Sequence, residues 1–309
     1  MTTEPRVRRG GKLGWFKLSS EPYMVELGFS LGRSFFQFAF IWLPFWPAPI
    51  PGPVDRIEDM DPITVPTSAA FRGSLRLRRS VRQTLLIDAD DTLWENNIYF
   101  ERAIASFISY LDHRVHTNEE VRERLNICER ATIATHGYGL KSFRRSLTDC
   151  FEQLSDGPVT PEKHARIVSF TEAIAQQEIE LLAGVEETLR ELGGRHRLIL
   201  VTKGNSEEQH DKVERSGLRE LFAAVEVPHE KTAAMYQELA VRHDCDAANT
   251  WMIGNSPRSD INPALAAGLG AVFIPHDFTW VLEHEVVEAP GDPDRLLELK
   301  GFGELLQYF

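Results

Sequence analysis

Three carboxylates crowd into four positions, Asp88, Asp90 and Asp91, directly after the apolar run Leu85-Leu86-Ile87 and just before Thr92 and Leu93. Like charges this close repel one another, and removing each from water is costly unless something compensates. Either the group gathers a cation, or it is an acidic turn that caps a following helix. Asp88 and Asp90 stand two apart, so both can project toward one ligand as a strand ends, while Ala89 points away. Ligands in open parallel sheets bind beyond the carboxyl ends of the strands, which is where this string would lie.

Further polar residues close later apolar runs. Thr202 follows Leu198-Ile199-Leu200-Val201, and Lys203-Gly204-Asn205 then leads into a polar helix carrying Gln209 and Lys212. Lys231 follows His229-Glu230 near a helix start, and Gly254-Asn255-Ser256-Pro257-Arg258-Ser259-Asp260 closes Trp251-Met252-Ile253. In this order, from near Gln83 onward, the strings resemble the four motifs of the haloacid dehalogenase (HAD) superfamily. The resemblance implies an α/β fold: a Rossmann-like parallel sheet core with an inserted α-helical cap. It also implies a phosphohydrolase in which Asp88 is the nucleophile and forms an aspartyl-phosphate, and Asp90 is the general acid and then the general base. Thr202 and Lys231 would hold the phosphoryl group, a task that suits a compact ammonium. Mg2+ would sit on Asp88, the main-chain carbonyl of Asp90, and Asn255 or Asp260.

The chain departs from the family pattern at four places. Asn255 stands where the first acid of Gly-Asp-x4-Asp usually ligates magnesium; an amide oxygen can ligate a hard cation but brings no charge, so a weaker metal is expected. Lys203 replaces a common Asn and either adds a cation to the phosphate site or points to solvent. Thr232 replaces a common Pro after the lysine, and Asp91 a common Gly before Thr92. Three functions are therefore compared. The first is Mg2+-dependent cleavage of a small phosphorylated metabolite. The second is metal-independent hydrolysis of the 2-haloacid dehalogenase kind, which also carries Asn in motif four. The third is a catalytically weak binding module on the same fold. Dehalogenases lack the second motif-one acid because a halide leaves without a proton, so Asp90 favours phosphate chemistry. The string Asp-Ala-Asp-acid-Thr-Leu is similar to that of nucleotidase-like relatives, which sets nucleoside monophosphates beside sugar phosphates and phosphoglycolate as substrates.

The elements that would position these residues are legible as short apolar runs at 84–87, 197–201, 224–227, 250–253 and 271–274, each short enough for a buried parallel strand. Between the first two lies a stretch too long for a loop, with helical stripes such as Phe100, Ile104, Phe107, Ile108 and Leu111. The expected organisation is an N-terminal extension at 1–80, a catalytic core at 81–96 and 178–309, and a helical cap at 97–177. The cap would exclude water and read the leaving group. His136, Lys141 and Arg144, around the two glycines flanking Tyr138, are its candidate substrate contacts. Glu95, Asn96 and Asn97 would serve as contacts or hinge.

Composition bounds the rest. Of 309 residues, 42% are hydrophobic and 26% charged, which is ordinary for a globular chain. The net charge of -12 is unevenly spread: residues 1–80 carry 11 Lys and Arg against 7 Asp and Glu, and the remainder 23 against 39. An acidic body repels nucleic-acid backbones, so no nucleic-acid partner is expected. Cys128, Cys150 and Cys245 are odd in number and lie far apart, so reduced thiols in a cytoplasmic setting are expected rather than a disulfide framework.

The first eighty residues pass from a basic start through an aromatic stretch at 35–46 to Pro44, Pro47, Pro49, Pro51 and Pro53. Glu26 and Arg33 interrupt the apolar window, which falls short of the roughly 20 residues a spanning helix needs. The segment reads as a poorly ordered accessory extension with Met60 as an alternative start, and membrane contact is the lesser expectation. A chain beginning at Met60 should accordingly stay soluble and active; precipitation, or loss of a cooperative thermal transition, would mean that the 35–46 stretch packs against the body.

Overall fold

The computed structural model describes residues 81–111, 115–155 and 157–309; the expectations for 1–80 lie outside them. The apolar runs become strands β1 (Thr84–Ile87), β2 (Arg197–Val201), β3 (Ala224–Glu226), β4 (Thr250–Gly254) and β5 (Gly270–Phe273). With β6 (Leu296–Glu298) they form one all-parallel sheet in the order β3-β2-β1-β4-β5-β6. Continuous apolar runs are what a sheet covered on both faces demands. Leu85 and Ile87 enter one core with Leu200, Trp251 and Ile253, whereas Leu86, between them, enters the other with Ile199, Val201 and Met252. The edge strand β6 has only three residues and carries no periodic signal of its own.

The chain winds outward from β1 to β3, then returns to place β4 on the other side of β1. At this reversal the connections leave in opposite directions, and a crevice opens beyond the carboxyl ends of β1 and β4. Asp88 follows β1, and Asn255 follows β4.

The first four of the five helices between β1 and β2 are α1 (Asn97–Leu111), α2 (Asn118–His136), α3 (Leu140–Leu154) and α4 (Pro161–Gln176). α2 begins with a capping box, in which Thr117 Oγ1 accepts from Glu120 N at 3.2 Å and Glu120 Oε2 accepts from Thr117 N at 2.9 Å. α4 begins with Thr160 as cap and Pro161 in the first turn, where the missing N–H does no harm. The four helices share an apolar core of their own, including Ile104, Phe107, Leu125, Leu147 and Ile167. Phe100, Ile108 and Leu111 pack at its margin. The sheet is covered on one face by α5 (Val185–Gly193), α6 (Ser206–Arg215) and the C-terminal turns around Phe302 and Leu305. Its other face is covered by α7 (Ala233–Arg242) and α8 (Asn262–Ala266). Cys128 and Cys150 are buried free thiols among the helices. Among the described residues no helix is long and apolar enough to cross a membrane.

Gly270 shows how tightly the sheet centre is filled. A Cβ there would stand 2.4 Å from two ring carbons of the fully buried Trp251. Gly270→Ala should therefore destabilise the fold by about 1–3 kcal/mol, the usual cost of overpacking. An unchanged midpoint in urea denaturation would mean that β5 moves away from Trp251 at no cost.

Candidate active site

One ammonium joins three segments at the crevice floor. Lys231, immediately before the cap residue Thr232 of α7, sends Nζ to Asp88 Oδ1 at 2.5 Å and to Asp260 Oδ1 at 2.7 Å. All three are buried. Thr232 Oγ1 accepts from Met235 N, so the threonine found in place of a common proline starts the helix by capping it. The two carboxylates hold Lys231 charged against burial, raising its pKa above the ordinary lysine value. Burial and the Asp88 charge push Asp260 upward in turn, against the pull of Lys231. The second oxygen of Asp88 accepts from Thr92 Oγ1 at 2.9 Å, and that of Asp260 from Ser256 N at 3.0 Å. Asp260 reaches inward from a wide turn, Pro257–Ile261, in which Asp260 N and Ile261 N both donate to Ser256 O.

Asp90 lies beside this group but in different company. Lys212 Nζ contacts both of its oxygens, at 2.6 and 2.7 Å, while Trp94 Nε1 donates at 2.8 Å and Gln209 Nε2 at 2.9 Å. Burial would raise its pKa, but Lys212 and the hydrogen bonds together hold it below the ordinary value. Asp91 has φ 59°, the left-handed conformation that explains why glycine suits this position and that Asp tolerates better than most residues. Its Oδ1 accepts from Asn96 N and Asn97 N, both at 2.9 Å, and so fixes the entry into α1. Burial pushes Asp91 up to about 7.

The residues present fit a hard cation. Asn255 turns its amide nitrogen to Thr279 Oγ1 at 2.9 Å, which leaves Oδ1 3.3 Å from Thr92 Oγ1, the hydroxyl that also reaches Asp88 Oδ2. A carboxylate oxygen and an amide oxygen thus share one small region, and the buried pair Asp88 and Asp260 faces a single ammonium, an excess of negative charge suited to a cation. Both oxygens of Asp260 are engaged by donors, Lys231 Nζ and Ser256 N, as are those of Asp88. A second oxygen and nitrogen group, Asp91, Glu95 and His276, lies close by.

Thr202 is buried after β2 and lines the cleft. Lys203 is spoken for: its Nζ donates to Glu283 Oε1 at 2.6 Å and Ser259 Oγ at 2.9 Å and sits 4.8 Å from the Tyr138 ring centre. Glu283 is held below its ordinary pKa, since Lys203, Ser256 and Ser259 outweigh its burial. The cleft, about 190 Å³, runs from Asp88 and Asp90 up to α1, α2 and α3. Tyr138 and Gly139 line it, as do Asn96 and Asn97. His136 and Lys141 are exposed and Arg144 Nε donates to Thr171 Oγ1; none of these three is among the lining residues.

Several lining residues escape sequence reasoning. Glu283, Trp280 and Thr279 come from an irregular segment after β5 without periodicity or motif. Glu129 lies within the helical stripe region as one acid among many. Lys212 and Gln209 are visible as members of a polar helix, but their grip on Asp90 is a tertiary fact.

A family model described as haloacid dehalogenase-like hydrolase matches residues 83–268. A haloacid dehalogenase-like family hydrolase from Xanthomonas campestris is 30% identical with a TM-score of 0.61, over 71% of this chain and 87% of that one. The HAD-hydrolase YfnB from Bacillus subtilis, solved with magnesium, shares the fold at 19% identity and a TM-score of 0.51, over 73% and 97% of the two chains. An N-acylneuraminate-9-phosphatase from Rattus norvegicus is 24% identical over 202 residues, 61% of this chain and 80% of that protein. With the motif residues gathered at one crevice and the matched segment spanning most of the sheet, the chain belongs to the haloacid dehalogenase-like hydrolase family.

Proposed function

We propose that this hydrolase cleaves small phosphate monoesters through an aspartyl-phosphate at Asp88, with Mg2+ as cofactor. The observation that carries the reading is the pairing of Asp88 with Asp90 at the floor of one cleft, Asp88 neutralised on one side by Lys231 and Asp90 held apart by its own donors. An oxygen of Asp88 attacks phosphorus, and the bond from phosphorus to the ester oxygen breaks. The leaving oxygen takes its proton from Asp90. Water then attacks the phosphorus of the aspartyl-phosphate, Asp90 takes up the proton it loses, and inorganic phosphate departs with Asp88 regenerated. Lys231 and Thr202 meet the charge on the phosphoryl oxygens. Asp90 must hold a proton in the first half, so Lys212 has to release it there; as a carboxylate it is ready for the second. Mg2+, held by Asp88 and Asn255 with the main-chain carbonyl of Asp90, would offset the negative charge that accumulates when a phosphate enters. The helices at 97–177 act as the cap that closes the cleft to water.

The distant N-acylneuraminate-9-phosphatases support a phosphatase over other hydrolases. One observation favours a second reading. Asp90 is bound by three donors as a carboxylate, and dehalogenation needs no proton from it. Release of halide from 2-chloropropionate in excess chelator, with no phosphate released from aryl phosphates, would select that reading.

Two substitutions test the proposal. Asp88→Asn should abolish phosphate release with an unchanged melting transition, because it removes the attacking oxygen and keeps the shape; near-normal turnover would end the mechanism. Asn255→Asp should tighten Mg2+ about tenfold, or about 1.4 kcal/mol, by adding a charge to the oxygen set. Calorimetric titration with Mg2+ reads this directly, and unchanged or weaker binding would remove Asn255 from the metal.

A further inference from the structure

The upper half of the cleft is formed by the helices, and its chemistry differs from that of the floor. Phe100 and Ile104 of α1, Ile133 of α2 and Phe143 of α3 make its walls apolar. One turn before Ile133, Glu129 reaches the same cleft. It is 5% exposed, and its Oε2 has no hydrogen-bond partner.

The nearby cations do not satisfy it. Arg122 is forked onto Glu101 at 2.6 and 2.8 Å, and Arg130 leans toward Glu123 at 3.9 Å. The cations that line the cleft, Lys203, Lys212 and Lys231, all come from the floor, and each is already on a carboxylate. A buried carboxyl without a partner is costly and is kept where something supplies one. A second polar group on the same cleft wall points the same way: Ser146 Oγ donates to Ser142 O at 3.0 Å, which leaves its lone pairs to accept. The helical wall therefore offers acceptors set in an apolar surround.

We propose that Glu129 determines specificity for the leaving group, and that the preferred substrates are phosphate monoesters whose alcohol part is an apolar body bearing a protonated amine. This rests on the phosphohydrolase reading of the same cleft. The apolar body packs between Phe100, Ile104 and Phe143, and the ammonium is the donor that Glu129 and Ser146 lack. Burial pushes the free Glu129 carboxyl up to about 7; an arriving cation would hold it ionised. An anionic leaving group would meet an uncompensated carboxylate and be rejected.

The test uses three aryl phosphates of equal size: 4-(aminomethyl)phenyl, 4-(hydroxymethyl)phenyl and 4-carboxyphenyl phosphate. Affinities are measured by calorimetry on the full chain carrying Asp88→Asn, with and without Glu129→Gln, and kcat/KM is measured on the wild type. The amine should bind about tenfold or more tightly than the alcohol, and the carboxylate most weakly. Glu129→Gln should bring the amine to the level of the alcohol, whereas Glu129→Asp, which keeps the charge, should retain part of the preference. An amine that binds no better than the alcohol, or a preference that survives Glu129→Gln, overturns the assignment. Failure of the wild type to turn over any of the three, with the amine preference intact in binding and lost in Glu129→Gln, would count against the phosphohydrolase reading and against a leaving-group role, and would leave Glu129 as the group that binds the ammonium.

Discussion

A single buried ammonium, Lys231 Nζ between Asp88 and Asp260, is the interaction on which the site's geometry depends. The side chain of Asp260 is 1% exposed and that of Asp88 8%. Neither could remain ionised so close to the other without a cation between them. The arrangement draws together the end of β1, the turn after β4 and the residue before the cap of α7; Lys231 stands 143 residues from Asp88 and 29 from Asp260 along the chain. It also explains Gly254, where a Cβ would lie 2.2 Å from Asp260 Oδ2: the backbone must pass that close for the carboxylate to reach Lys231.

Around this centre the charges are sorted into separate pairs. Lys212 serves Asp90, Lys203 serves Glu283 at 2.6 Å with Glu230 farther off at 3.6 Å, and Lys231 is shared between two buried acids. Sorting matters because two acids of one motif are asked to behave differently. Asp88 is held at the junction of three segments, while Asp90 depends on one helix, α6, and on Trp94 four residues along. A group held by a single helix can be released by a small shift of that helix; one held by three segments cannot. The different surroundings of the two acids are thus a matter of how many parts of the chain hold each.

The parts of this design that are legible in the sequence are those in which the fold repeats a local pattern. Asp88, Asp90, Thr202, Asn255 and Asp260 follow apolar runs, and parallel strands covered on both faces write such runs plainly. Lys231 is legible from its order among them. The fate of Lys203 is not, because Glu283 arrives from an irregular segment eighty residues away. The expectation that His136, Lys141 and Arg144 would face the substrate rests on the Gly-Tyr-Gly loop. That loop does line the cleft, through Tyr138 and Gly139, but the basic side chains beside it point to water or to Thr171. A helix face cannot be oriented from its own residues when both of its sides carry charge. Asn255 and Asp91, by contrast, are visible as departures from a pattern, and at each the structure supplies a reason: an amide turned by Thr279, and a left-handed turn tied down by two amides.

The loop at 136–140 has one more implication. It meets the sheet domain through Tyr138 Oη donating to Glu230 Oε1 at 2.7 Å, through Leu140 N donating to Glu208, and through the Tyr138 ring over Lys203. All three contacts are only partly buried, so each is modest on its own. Other contacts join the helices to the sheet domain as well, among them Tyr138 edge-on to Trp280 and Asn97 Nδ2 donating to Phe278 O, so the two parts are held by several small contacts rather than one large one. Because the helices and the sheet each keep an apolar core of their own, contacts of this kind can part without unpacking either one.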